Sequence, residues 1–301
     1  MKKTFFEIYK RSEKEFKEEE LWPYYFKKRY LEFLSFYEIF KNEKTDHVLE
    51  IGCGLGYYSV FLSNMSKELV ATDLDEESNE DHAIGLNKTR DFTRKFNCSN
   101  IKITPASAES IPFEDSSFDF VFSSHVLEHV PNKELAISEI YRVLKPNGLF
   151  ICITPSRADR FYAFFNNHIY LFGRVLYHLF RKNHTNNTAT EGKSMSEKVT
   201  ANKKNIFFPQ VHGAYSSYFE EFRKWSFSNW KKLLLTNTGF TLVSHTSSEL
   251  NPIANLTYYI SPWVSVSILA ASRKIDSILG TIPLVKTLGV NSILVIRKPK
   301  L

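Results

Sequence analysis

With 301 residues, 43% of them hydrophobic, the chain is long enough to bury one large α/β core together with a small accessory region. Its three cysteines, Cys53, Cys98 and Cys152, are too few and too scattered for a disulfide framework or a metal cluster, which favours a reducing, cytoplasmic setting. The formal net charge of +6 is unevenly split: residues 1–150 carry 20 Lys and Arg against 26 Asp and Glu, and residues 151–301 carry 19 against 7. The second half is therefore the side suited to an anionic substrate or an anionic membrane surface, unless its charge is simply solubilising.

The N-terminus has two early lysines but no long apolar run behind them, so it does not read as a signal peptide. Phe5, Ile8 and Tyr9, then Phe26, Tyr30, Leu31, Phe33, Leu34 and Tyr37, recur at three- and four-residue spacing and predict helices over residues 5–45, separated at Pro23. The next stretch, HVLEIGCGLGYYSV, joins an apolar strand (Val48, Leu49, Ile51) to a turn with Gly52, Gly54 and Gly56 and then to a helix over Tyr57 to Met65. Such a turn lets the backbone adopt positive φ and leaves room for a nucleotide-like ligand beside the first N–H groups of the helix. A dinucleotide fingerprint would need a glycine at Tyr57; the pattern is instead E-x-G-x-G-x-G, opening at Glu50.

Glu68 to Thr72 predicts a second buried strand ending at Asp73, 17 positions after Gly56, where an acid can accept hydrogen bonds from both hydroxyls of a ribose. A solvated strand-end acid is the alternative, and Asp75 suits a helix cap better. A polar helix over Glu77 to Phe96 and a third strand over Ile101 to Ile103 follow. Then come ASAESIPFEDSSFDFVFSSHVLEHV, holding the fourth strand, and EIYRVLKPNGLFICITP, read as a helix through Glu139 to Leu144, a turn at Pro146-Asn147-Gly148 and a fifth strand over Leu149 to Thr154.

Taken in order over about 110 residues, the glycine turn, the strand-end acid, IPF, FDFVFSSHVLEHV and LKPNG resemble the class I S-adenosylmethionine (SAM)-dependent methyltransferases, in particular the small-molecule enzymes typified by quinone biosynthesis. The resemblance implies an α/β fold, a doubly wound seven-stranded Rossmann-like sheet, and SAM as cofactor. It places the cofactor at Glu50, Gly52, Gly54, Gly56, Asp73, Ser107 and Ala108. Ser107 stands where the family has an acid for the adenine amino group, a contact a serine makes only weakly, while the backbone of Ala108 could bind the ring edge and Ile111 could pack near it. An aromatic and basic lead-in helix often lies over the cofactor in similar enzymes, which makes Tyr25 and Arg29 candidates to cover it or face its carboxylate. Packing of the same rings on the sheet is the plainer reading.

Past Ser156 the resemblance thins. Phe161, Phe164, Phe165, Phe172, Leu176 and Leu179 fall near one helix face with Arg160, Arg174, Arg181 and Lys182 beside it, suited to covering a site or lying on a membrane. Asn183 to Asn205 is polar and aperiodic. A helix over Phe219 to Phe240 leads to strands over Thr241 to His245 and Asn291 to Arg297, separated by a long apolar insert over Ser248 to Val290. Within it Leu250 to Ser272 carries no charge but contains Pro252 and Pro262, which disfavours a spanning helix. The expected organisation is a helical lead-in over 1–45, a SAM-binding core over 46–155, and substrate-side insertions with the last strands of the same sheet over 156–301.

Methyl transfer is an in-line displacement that mainly needs alignment, with a base required when the acceptor is a hydroxyl or a protonated amine. His125 and His129 would lie beside the methyl group at the end of the fourth strand. His125 is the candidate base, although HVLEHV also marks the family irrespective of substrate. His212, in QVHGAYSSYF, is a second catalytic candidate, as are the hydroxyls of Tyr215 and Tyr218; a loop histidine is otherwise simply solvated. His125, Glu128 and His129 spell the H-x-x-E-H of inverted zinc proteases, but here after an apolar strand. The E-x-x-E-H corner that binds a divalent ion in quinone O-methyltransferases has His125 in place of its first acid, so no metal is assigned. The expected acceptor is a small molecule, lipid-linked or sugar-linked, with an anionic membrane surface as a candidate partner and membrane association as a candidate addition to the cytoplasmic setting. A membrane-associated quinone-type O- or C-methyltransferase and a non-catalytic SAM-binding partner protein remain as alternatives. Nucleic acid is disfavoured, because strand four ends in SSHV with no N-P-P-Y tetrapeptide and the basic residues form no compact patch.

Overall fold

A computed structural model describes residues 2–15, 22–74, 86–181, 208–236, 238–248 and 289–300. Seven strands, β1 (His47–Ile51), β2 (Glu68–Asp73), β3 (Ile101–Pro105), β4 (Phe118–Ser124), β5 (Leu144–Pro155), β6 (Thr241–Ser248) and β7 (Asn291–Arg297), form one sheet in the order β3-β2-β1-β4-β5-β7-β6. All neighbours are parallel except at β7, which runs antiparallel to both β5 and β6. Strand order reverses between β1 and β4, and a crevice opens beyond the carboxyl ends of strands at such a reversal.

Period-two alternation divides the core between the two sheet faces. Val48, Phe120, Phe122, Ile151 and Val295 face helices α1 (Lys2–Glu15), α2 (Trp22–Phe40) and α3 (Tyr57–Ser63), where Phe5, Phe33, Phe36, Phe40 and Phe61 are buried. Phe40 stacks on Phe120 at 5.1 Å and Phe36 on Phe122 at 5.6 Å, so the aromatic richness of the N-terminal segment serves mainly to anchor it on the sheet. Each such ring contributes roughly 1.5–3 kcal/mol by burial. Leu49, Ile51, Val121, Phe150 and Leu294 face the other layer, with α5 (Lys133–Val143) and α8 (Phe227–Leu235). Helices α4 (Leu86–Lys95), α6 (Arg157–Arg181) and α7 (Tyr218–Lys224) complete the described elements.

Several elements differ from their predicted bounds for local reasons. Pro23 lies in the first turn of α2, where its missing N–H is harmless, so it belongs to this helix and does not separate two helices. Helix α5 starts earlier than predicted because the Asn132 side chain accepts the Leu135 N–H as a cap. The Pro146-Asn147-Gly148 turn is a bulge inside β5: Phe118 pairs with Leu144 and Phe120 with Leu149, with Asn147 at φ +64°. The single helix expected over Phe219 to Phe240 is two, because Ser226 caps α8 by accepting from Asn229 N–H directly after the buried Trp225. Strand β6 continues to Ser248, three residues beyond its predicted end. Asp75, the start of the helix at Glu77, Asn183 to Asn205, and positions 249–288 of the apolar insert lie outside the described residues. No helix among the described residues is long and apolar enough to cross a membrane.

Candidate active site

A cleft of about 370 Å³ lies at the carboxyl ends of β1, β2 and β4, between the glycine turn, Asp73, residues 106–109 and residues 124–131, with Arg29, Tyr57 and Tyr58 on its helical side. That size falls within the roughly 300–1,000 Å³ typical of small-molecule sites. The turn is tied to β2 by the N–H groups of Gly52 and Cys53, which both donate to Thr72 O at 2.7 and 2.9 Å. Gly52 has φ +72°, and a Cβ there would sit 2.1 Å from Val126 Cγ2, so no other residue fits. Gly56, at φ +82°, caps α3 and lets it approach α4, where a Cβ would meet Thr89 Cγ2 at 3.0 Å. It is a packing glycine and does not line the cleft.

Asp73 and Gly54 are held together. Gly54 N–H donates to Asp73 Oδ2 at 2.7 Å and Leu74 N–H to Oδ1 at 2.8 Å. Burial raises the Asp73 pKa, and these two N–H bonds oppose the shift. Each carboxylate oxygen retains a second lone pair for a ligand hydroxyl.

Glu50 is a correction. Alternation along β1 sends its side chain to the face occupied by Val48, away from the cleft, where it is buried and accepts a hydrogen bond from Ser59 of α3. Desolvation pushes its pKa up to about 8, against the Ser59 bond and with help from the Asp73 charge. It braces the turn from behind.

At the other wall, Ser107 Oγ accepts the Glu109 N–H at 3.2 Å, which leaves its hydroxyl proton to donate, and Ala108 is buried beside it. Glu109 shares this wall and accepts the Asn132 N–H at 2.6 Å, an acid that the sequence reading did not single out.

His125 turns the chain out of β4 with φ +57°, a left-handed conformation uncommon for a non-glycine residue, while its N–H still bonds Ile153 O at 2.9 Å. Its Nδ1 lies 3.3 Å from Oε1 of the fully buried Glu128. The contact is electrostatic, since neither Glu128 oxygen makes a directed hydrogen bond among the described residues. Burial raises the Glu128 pKa, but the neighbouring His125 and His129 outweigh it and hold the carboxyl below its ordinary value. His125 and His129 both line the cleft, and His125 Nε2 has no hydrogen-bond partner among the described residues.

His212 is also displaced from its expected position. The 208–217 segment seats on the His125–Glu128 corner through Gly213, whose φ is +93° and whose Cβ would strike Glu128 O at 2.7 Å, and through Ala214 N–H, which donates to the same oxygen at 3.1 Å. His212 therefore sits behind His129, its ring 4.7 Å away and edge-on, outside the cleft wall. Its backbone N–H donates to the buried Glu221, which also takes Arg160 Nη1 at 3.1 Å. His212 is exposed as a whole, and partial burial of its ring lowers its pKa against the pull of the Glu128 charge. Tyr218 is structural, its hydroxyl bonded to Arg160 O at 2.7 Å, and burial pushes the Tyr215 pKa up to about 12, unsuited to a base. Glu128, His129 and His212 bring one ligand atom each within 4.8 Å of one another, a donor set that could take a divalent cation of the zinc type although the sequence assigned none.

A doubly wound sheet with a glycine turn after β1 and a carboxylate at the tip of β2 defines a nucleotide-binding α/β domain. Residues 49–152 match the methyltransferase domain family, and this stretch is a class I SAM-dependent methyltransferase domain. Among similar proteins are a ubiquinone/menaquinone biosynthesis C-methyltransferase of Rickettsia felis, 33% identical over 127 residues covering 39% of this chain and 48% of that protein, and a sterol 4-C-methyltransferase of Caenorhabditis elegans, 34% identical over 105 residues covering 35% and 30%. The chain spans about half the length of the quinone-type relatives it matches. A putative SAM-dependent methyltransferase from Listeria monocytogenes shares the fold with a TM-score of 0.50 at 14% identity, over 90% of this chain and 99% of that one.

Proposed function

We propose that the protein transfers the methyl group of SAM to a small lipid-type acceptor. The observation that carries this reading is one cleft holding both the Asp73–Gly54 pair and His125. Its residues suit the cofactor: Gly52 lets the turn pack against Val126, Asp73 would offer lone pairs to two ribose hydroxyls, and Ser107 with the Ala108 backbone would hold the adenine. When bound, SAM supplies an electrophilic methyl group on a sulfonium.

The chain's own work is alignment and proton removal. An acceptor oxygen or activated ring carbon at the His125 end would lose its proton to Nε2 as it is methylated, and the imidazolium formed would be stabilised by Glu128 at 3.3 Å. His129 would pack beside the acceptor, and His212 would position His129. The lipid class is supported by the quinone and sterol named for two relatives and by exposed Phe161, Phe165 and Phe172 along α6.

Calorimetry of SAM with the wild type and Asp73→Ala is the first test, followed by transfer of radiolabelled methyl from SAM into detergent-dispersed lipid and water-soluble glycan extracts. Binding lost in the variant and label in the lipid fraction is expected. No wild-type binding would overturn the cofactor reading, and label confined to the water-soluble fraction would overturn the lipid acceptor.

A further inference from the structure

A second buried carboxylate, on the helical side of the same cleft, gathers a set of donors from separate elements. Glu32 lies on α2 and is 3% exposed. Its Oε2 accepts from Arg29 Nη1 at 2.7 Å and from the Tyr58 hydroxyl, while Oε1 accepts from Ser248 Oγ at 3.0 Å and Asn291 Nδ2 at 2.8 Å. Both carboxylate oxygens are thus hydrogen-bonded, one toward the cleft wall and one toward the strand ends. The donors come from two places of different purpose. Arg29 and Tyr58 form the helical wall of the cleft. Ser248 is the last residue of β6 and Asn291 the first of β7, and they pair across the sheet.

Around them the stem is closed tightly. Gly289 N–H donates to Ser247 Oγ at 2.8 Å, Ser156 Oγ donates to Gly289 O at 2.6 Å, and a Cβ on Gly289 would lie 2.2 Å from Ser248 O.

We propose that Glu32 is a positioning residue that fastens the Arg29–Tyr58 wall of the cofactor cleft to the strand ends from which residues 249–288 leave and return. A buried carboxylate that loses donors on one oxygen must rearrange on the other, because an unsatisfied charged group is expensive to keep out of water. A shift of the stem is thereby felt as a shift of Arg29 and Tyr58, and a ligand pressing on those residues is felt at the stem. Coupling of this kind is reciprocal. The proposal rests on the cofactor reading of the cleft.

The test is a double-mutant cycle on SAM affinity. Asn291→Ala removes one donor at the far end of the network, at a residue that does not line the cleft. It is expected to weaken SAM binding about fivefold, the effect of one hydrogen bond of ordinary strength, and Glu32→Gln to weaken it tenfold or more. In a background carrying both Arg29→Ala and Tyr58→Phe, Asn291→Ala should have no further effect, since both links from Glu32 to the cleft wall are then gone; a merely structural role would reduce affinity by the same factor in both backgrounds. Folded Asn291→Ala protein with unchanged affinity, or equal factors in the two backgrounds, would overturn this proposal alone. Failure of the wild type to bind SAM would overturn it together with the cofactor reading.

Discussion

Replacing Glu50 by Gln should flatten the pH dependence of stability. Glu50 is fully enclosed between β1 and α3, and its pKa rises from 4.5 to about 8 in the folded protein. Below about pH 4.5 the carboxyl is protonated in both folded and unfolded chains, and the group contributes no difference. As pH rises through 4.5 the unfolded chain releases the proton while the folded one keeps it, so the unfolded state gains and stability falls, at about 1.4 kcal/mol per pH unit at most. The fall levels off above about pH 8, once Glu50 is ionised in both states. By pH 7 the loss approaches about 3 kcal/mol, with a ceiling of about 5 kcal/mol at higher pH. Glutamine keeps a carbonyl oxygen for the Ser59 hydroxyl and cannot titrate. Urea denaturation without SAM, repeated at half-unit steps from pH 5 to pH 8.5, should show the midpoint of the wild type falling more steeply than that of Glu50→Gln, with the two curves furthest apart at the alkaline end. Parallel curves would refute the argument, because they would mean that Glu50 is already ionised in the folded protein.

Gly52→Ala should lower the melting temperature and abolish SAM binding, since the substitution meets Val126 Cγ2 at 2.1 Å and strains a φ of +72°; adding Val126→Ala should restore only part of the stability, because space returns and the backbone strain does not. His125→Gln is expected to reduce kcat by 10²–10⁴-fold, the usual range for a lost general base, with SAM affinity within a few fold of the wild type. A drop in SAM affinity matching the drop in rate would assign His125 to binding instead. Turnover is expected to survive dialysis against a chelator, as befits a His125–Glu128 base; activity lost on chelation and restored by Zn²⁺ would transfer the chemistry to a cation at Glu128, His129 and His212.

What the sequence revealed and what it hid divide along sequence distance. The strands β1, β2 and β7 were legible because each is a short apolar run, β4 through the family resemblance of FDFVFSSHVLEHV, and Asp73 because its place at the end of β2 follows from the strand itself. The caps at Asn132 and Ser226 were readable locally and were missed, which misplaced the start of α5 and fused α7 with α8. Glu50 could have been placed correctly from alternation alone, since it shares its sheet face with Val48 and not with Ile51. Glu32 offered no such clue: its partner Asn291 is 259 residues away. Arg160 and Glu221 likewise form a buried pair only once α6 and α7 meet. His212 was one catalytic candidate beside the reading of a solvated loop histidine; it is exposed and backs His129, because the left-handed Gly213 docks the loop on the carbonyl of Glu128.

The reversed direction of β7 has an engineering consequence. Because β6 ends and β7 begins on the rim where the ligand cleft opens, any peptide spliced between Ser248 and Gly289 would emerge and rejoin at that rim, leaving the sheet's register undisturbed. The junction is thus a natural exchange point only for cassettes that leave the Ser248 and Asn291 contacts to Glu32 in place, because a displaced stem would be transmitted to Arg29 and Tyr58.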